Sequence, residues 1–340
     1  MSTEPKIVLM DANNEQPLRK WRATQTKEFG LPVTADLLVE GVKYKIVSVG
    51  DTDFTAVGAA DNNVGTVFVA TGVGEGTGTA VQMITRYNVK SGEGSDVLNF
   101  MVWNNRKCNE VIDLEIKSGS TTSEDIVIKL DGIDYTVTVD ANTDTDVIGA
   151  AIIDGMRAHV DFNNAWEATL IPAIEFDGVK VANTIVTFVA KDTEPKGDYL
   201  FNAGQTGIDG IIKRMLEGNP ATEPVSKITD ARIYIRDDQG GISSDVVKNK
   251  WAWIKNETDA AYTNIGVDIN KDTGVTTEYD LKLKAVNSAV ALGEILGDVN
   301  TGSLADDKNY DKLSLFMKPP VIGVAQGLRQ WKLIITYNFT

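Results

Sequence analysis

Ile126-Val127-Ile128-Lys129-Leu130-Asp131-Gly132-Ile133-Asp134-Tyr135-Thr136-Val137-Thr138-Val139 places two alternating runs on either side of an Asp-Gly pair. In an extended chain successive side chains point to opposite faces, so alternation buries one side of each run and leaves the other to water. An Asp-Gly pair accepts the left-handed backbone of a two-residue loop, and the stretch is predicted to be a β-hairpin. Just upstream, Ile112-Asp113-Leu114-Glu115-Ile116 alternates in the same way and predicts another strand.

Downstream the period changes. Val147, Ile148, Ile152 and Met156 recur near 3.6 residues, with Thr143 or Asp144 placed to cap exposed N–H groups, so a helix is expected from about Asp144 to Val160. Strands are expected around Ala173 to Phe176 and Thr184 to Ala190. A second helix is predicted over Gly207 to Glu217, with Ile208, Ile211, Ile212 and Met215 on one stripe and Gly218 and Pro220 ending it. Beyond it, Arg232–Arg236, Trp251–Lys255, Ile265–Ile269, Leu313–Met317 and Trp331–Ile335 each alternate, and short strands at such spacing suggest a β-sandwich.

Toward the N-terminus, Leu37 to Ala80 carries short alternating segments such as Tyr44-Lys45-Ile46-Val47 and Thr66-Val67-Phe68-Val69. Turns such as Gly50-Asp51 and Asp61-Asn62-Asn63 separate them, the pattern of a small β domain. Ile84–Tyr87 and Val97–Trp103 are further strand candidates. Residues 1–35, with Ile7-Val8-Leu9-Met10, Trp21 and Phe29, show no sustained period and are read as an arm that docks on something else.

Composition sets the bounds. A chain of 340 residues exceeds one usual core, so two or three domains are expected. With 42% hydrophobic and 24% charged residues, and 30 Gly against 9 Pro, the chain belongs with folded β-rich proteins. A net charge of −15 repels phosphate backbones, which argues against nucleic-acid binding. Cys108 is the only cysteine, so an internal disulfide framework and a thiolate metal cluster are both excluded. The start of the chain lacks signal-peptide features and no run is long enough to span a bilayer, so a soluble protein made in a cytoplasm is expected.

Three stretches resemble modules of bacteriophage virion proteins. Gly41 to Ile46, Gly50-Asp51-Thr52-Asp53-Phe54-Thr55-Ala56-Val57-Gly58-Ala59, Asn63 to Gly72 and Gly76-Thr77-Gly78-Thr79-Ala80 together resemble a short β module of phage fibre and structural proteins. Ile126 through Val139, the helix after Asp144 and Val186-Thr187-Phe188-Val189-Ala190 resemble an α+β module of contractile-tail sheath and related tail proteins. Trp253 to Tyr262, Leu292-Gly293-Glu294-Ile295 and the closing strand resemble immunoglobulin-like adhesion or decoration domains. The resemblance implies a protein that builds assemblies of repeated subunits.

Gly72-Val73-Gly74-Glu75-Gly76-Thr77-Gly78 has the glycines of a phosphate cradle, but it lacks a Gly-Lys-Ser/Thr ending and a following helix, so a β-turn is expected. Asp140, Asn142, Asp144 and Asp146 alternate as calcium ligands would. Thr145 and Ala151 stand where an EF-hand needs Gly and Glu, and helix capping is expected instead. His159 is the only histidine, so neither a multi-histidine zinc site nor a triad with a second imidazole can form, and a packing role is expected. Asp237-Asp238 and Asp306-Asp307 are candidate glycosidase carboxylates, read as a solvated face among 48 acidic residues. Trp21, Trp103, Trp166, Trp251, Trp253 and Trp331 are scattered and expected to pack; Trp251 and Trp253 are predicted to share one face of a strand.

The expected fold is therefore mainly β with an α+β middle domain: a multidomain chain of a small β domain, an α+β module and a C-terminal β-sandwich. The expected boundaries are 1–35 for an assembly arm, 36–84 for the small β module and 85–110 for connecting strands. They continue with 111–218 for the α+β module, 219–227 for a linker and 228–340 for the immunoglobulin-like sandwich. The expected function is a non-enzymatic structural component of a virion, foremost of the tail or neck, assembling with itself and with other virion proteins through terminal arms and sheet edges. No catalytic, cofactor-binding or metal-binding residue is expected, and neither nucleic acid nor membrane is a partner. A capsid decoration protein is the first alternative, and a surface adhesin that binds host glycans through its tryptophans is the second. A depolymerase using paired carboxylates ranks last.

Overall fold

The computed structural model describes residues 4–19, 25–86, 89, 92–176, 179–237, 251–257, 259–265, 267–268, 277–278, 281–282, 294–299, 301–303, 309–319 and 331–340. Strands take 47% of the chain and helices 10%, so the fold is mainly β. Every strand pairing given by the described residues is antiparallel.

The predicted hairpin forms. Strand Glu124–Leu130 pairs with Ile133–Val139 in a register that sets Leu130 opposite Ile133, and Asp131 and Gly132 turn the corner at φ 52° and 78°. Both loop residues are left-handed, as a loop that matches the twist of its strands demands. Ile126, Ile128 and Leu130 face inward beside Tyr135, Val137 and Val139, and each buried aliphatic side chain contributes roughly 1.5–3 kcal/mol of transfer free energy.

Helix Thr145–Arg157 lies on this hairpin, capped by the Asp144 carboxylate, which accepts from the Asp146 N–H; a short helix, Val160–Ala165, follows. Across the same core stands a four-stranded sheet in the order Trp166–Ile171, Thr184–Ala190, Val111–Ile116, Gly210–Leu216. The last of these strands occupies the place of the predicted second helix over Gly207 to Glu217. Ile208 and Ile212 meet the middle core, Ile211 is exposed, and Met215 and Leu216, at a register shift, pack on the cluster of the opposite face, so apolar residues from both faces of a bulged strand fall at helical spacing. Gly210 is required by close approach, since a Cβ there would lie 2.5 Å from the Phe201 ring.

The N-terminal stretch is not a free arm. Ile7–Asp11 pairs with Leu98–Asn104 as the outer strand of a five-stranded sheet that continues through Tyr310–Met317, Ala252–Asn256 and Thr263–Ile265. Gln25–Thr34 is the edge strand of a separate four-stranded sheet with Thr79–Arg86, Lys43–Ser48 and Val67–Val69, so that sheet begins ahead of residue 36. Trp21 lies outside the described residues. The two predicted connecting strands therefore part company: Ile84 stays in the small sheet, while Leu98–Asn104 is the second strand of the five-stranded one. Local periodicity showed apolar segments in both places, but pairing with strands hundreds of residues away is invisible to it.

A three-stranded sheet, Leu281–Lys282, Ile228–Asp237 and Trp331–Phe339, shares one apolar cluster with the five-stranded sheet, built on Phe100, Val102, Ile233, Ile254, Leu313 and Leu315. The opposite face of the five-stranded sheet, through Met10, Met101, Trp103 and Tyr310, packs on Val111 and Leu216 of the middle sheet.

Candidate assembly surfaces

Where chain segments cross between these sheets, asparagines bury their amides. Asn104, Asn105, Asn219 and Asn309 are all buried. Asn105, at φ 55°, donates from Nδ2 to the carbonyls of Glu223 and Gly297 at 3.0 and 3.1 Å, and its Oδ1 accepts from Asn219 at 3.1 Å. Asn104 donates to Ser226 O at 3.0 Å, and Lys6 Nζ donates to Asn219 Oδ1 at 2.9 Å. The short side-chain amide serves here because it carries both donors and acceptor, and at Asn105 it also tolerates the left-handed backbone.

Two buried carboxylates reinforce the junctions. Glu110, fully buried, binds Arg214 Nε at 2.7 Å, the N–H groups of Lys196 and Gly218 at 2.8 and 3.0 Å, and the Tyr199 hydroxyl. Burial, reinforced by Glu110, pushes the Tyr199 hydroxyl far above its ordinary value, which keeps it a donor. Asp113 receives a fork from Arg19, Nε at 2.8 Å and Nη2 at 3.0 Å, and Thr187 also donates to it. Neither carboxylate carried a local signal in the sequence, because every partner is distant along the chain.

The candidate motifs resolve into structure. In the Gly72–Gly78 run, Gly74 N–H donates to Ala35 O at 2.8 Å, Thr77 N–H to Asp51 Oδ1 at 2.5 Å and Gly78 N–H to Thr52 Oγ1 at 2.8 Å, so these three N–H groups are spent internally. The Thr77 backbone donor, with the Thr77 hydroxyl, holds the Asp51 carboxyl below the usual range. In the 140–146 run, Asn142 Oδ1 accepts from Asp144 N–H at 2.9 Å, Asp144 caps the helix, and Asp146 Oδ1 accepts from Ala173 N–H at 2.8 Å and from Thr184 Oγ1. Among the described residues no group of three or more His, Cys, Asp or Glu side chains is placed to hold a metal.

His159 Nε2 lies 3.0 Å from Thr136 O, with its ring edge-on to Tyr135. Burial pushes the Cys108 thiol up to about 11, so it stays protonated at neutral pH. Asp238, Asp306 and Asp307 lie outside the described residues. Trp103 stacks on Tyr310 with ring centres 4.5 Å apart, and Trp166 is buried in the middle core.

Trp251 and Trp253 do not share a face. Trp251 precedes strand Ala252–Asn256 and turns into the cluster between the two sheets, beside Ala252 and Ile254. Trp253 takes the other side and lies near-parallel to Phe316, its cross-strand partner. The period of two holds only within the strand, and Trp251 stands just outside it.

Two surfaces present unusual features to solvent. The first is strand Trp331–Phe339, at the end of its sheet: no strand among the described residues pairs with its outer edge, and residues 336–340 are all exposed. Tyr337 and Phe339 are aromatic and outward there. The second is the small sheet, where Leu31 is 85% and Phe29 53% exposed at the register shift of its edge strand, with Val67 and Val69 exposed on the opposite edge strand. An open depression of about 360 Å³ between helix Thr145–Arg157 and strand Trp166–Ile171 is lined mainly by aliphatic groups, and its Arg157 already donates to Ala168 O.

Comparison with known proteins returned no match to any family model, curated protein or solved structure.

Proposed function

We propose that the chain is a non-enzymatic structural component of a bacteriophage virion, foremost of the tail or neck, which assembles with copies of itself and with other virion proteins through sheet edges. The carrying observation is the outer edge at Thr336 to Phe339, with which no strand pairs among the described residues. A row of unpaired backbone N–H and C=O groups is a template for a further strand, and folded proteins ordinarily blunt such edges with charge, proline or a cover. Here the exposed side chains include Tyr337 and Phe339 instead.

The finer architecture belongs to the same proposal. The five- and three-stranded sheets form an immunoglobulin-like sandwich; the small sheet and the α+β unit are modules inserted into its chain. The buried asparagines and Glu110 brace the insertion points, so the unit acts as a stiff spacer between contacts. Support comes from the shared apolar cluster of the two sheets and from the sequence resemblance to phage modules.

The double variant Tyr337→Lys with Phe339→Lys tests the edge. Both residues are exposed, so stability is expected to change by no more than about 0.5 kcal/mol per site. Light scattering after size exclusion is expected to give an oligomer for the parent chain and the mass of one chain for the variant. Equal masses for the two would defeat the proposed role of this edge.

A further inference from the structure

We infer that the face of the five-stranded sheet that packs on the middle sheet through Trp103 and Tyr310 carries, toward the other end of its strands, a shallow binding site for a neutral saccharide, floored by Trp253 and Phe316. The two rings are cross-strand neighbours with planes 10° apart and centres 6.1 Å apart. Tyr262 stands against Phe316 at 82°, with centres 4.8 Å apart. All three are half-buried, Trp253 and Phe316 within the sheet and Tyr262 just ahead of strand Thr263–Ile265. The adjoining cross-strand row on the same face is polar, consisting of Lys255, Ser314 and Asn99, each also half-buried.

An aromatic floor beside a row of amide, hydroxyl and ammonium groups matches the two faces of a pyranose. The sugar's C–H face is apolar and slightly positive, and it packs on the negative face of an aromatic ring. Its hydroxyls need a few placed donors and acceptors at the rim, the usual division of labour in small-ligand sites. Ser314 Oγ and Asn99 Oδ1 are already 2.7 Å apart, which fixes the rim geometry. Charge narrows the ligand further. Lys255 Nζ rests 5.0 Å from the Tyr262 ring centre and disfavours a cationic ligand at the floor, while the chain's net −15 opposes a polyanion. An uncharged ring remains.

The test is saturation-transfer NMR on the intact chain with maltohexaose, cellohexaose and the hexamer of N-acetylglucosamine. At least one is expected to bind with a Kd of about 1 mM or tighter. Trp253→Ala and Tyr262→Ala are each expected to weaken that binding about tenfold or more, worth about 1.4 kcal/mol. If Trp253→Ala does not fold, Tyr262→Ala decides, because Tyr262 lies outside the strands and outside every core cluster. No transfer to any of the three sugars, or binding that survives Tyr262→Ala unchanged, overturns the inference.

Discussion

Removal of residues 1–35 is expected to abolish cooperative folding. Ile7 and Leu9 pack on the cluster between the five- and three-stranded sheets, while Val8 and Met10 pack on the middle sheet, so one strand supplies two cores. Its loss also frees the edge of Leu98–Asn104. Arg19 leaves with it, and Asp113, 4% exposed, keeps only neutral partners among its described contacts; stranding a buried charge costs about 3–5 kcal/mol. Together with several lost apolar contacts, this approaches the whole stability of a folded chain, about 5–15 kcal/mol. Differential scanning calorimetry is expected to show no sharp transition for the truncated chain. A cooperative transition within a few degrees of the parent would restore the view of this stretch as a detachable arm.

Glu110→Ala is expected to cost about 4 kcal/mol, because it strips the partner from the Lys196 and Gly218 N–H groups and the Tyr199 hydroxyl at once, each about 1–3 kcal/mol when left unsatisfied. Arg214 can turn to water, since its side chain is 38% exposed, and it adds little to the loss. Urea denaturation is expected to show a lower midpoint with an unchanged slope. Glu217→Ala removes the other carboxylate near Arg214, 3.4 Å away and 62% exposed, and is expected to change stability by less than about 0.5 kcal/mol. Similar losses for the two variants would mean that the buried network does not brace the junction.

The hairpin around Asp131-Gly132, the helix after Asp144 and the strand Thr184–Ala190 were legible because each is decided by its own residues: a turn pair, a cap, a period. Gly210–Leu216 imitates a helix because apolar residues from both of its faces, Ile211 and Ile212 before Met215, fall at helical spacing, and only its ladder with Val111–Ile116 identifies it as a strand. Ile7–Asp11 was misread for a related reason, since five residues are too few to display a period and their partner begins at Leu98. The exposed edge near Tyr337 was legible in outline, as a terminal alternating run. The aromatic floor is half legible: Trp253 stands out in the sequence, but Phe316 and Tyr262 join it only through strand pairing and a short loop.

The most direct measurement is electron microscopy of phage particles from the source culture, labelled with gold-conjugated antibody against this chain. A structural role in the tail or neck predicts gold along the tail or at its junction with the head. Gold over the head surface would replace that placement with capsid decoration, and particles that carry no gold would contradict the virion assignment itself.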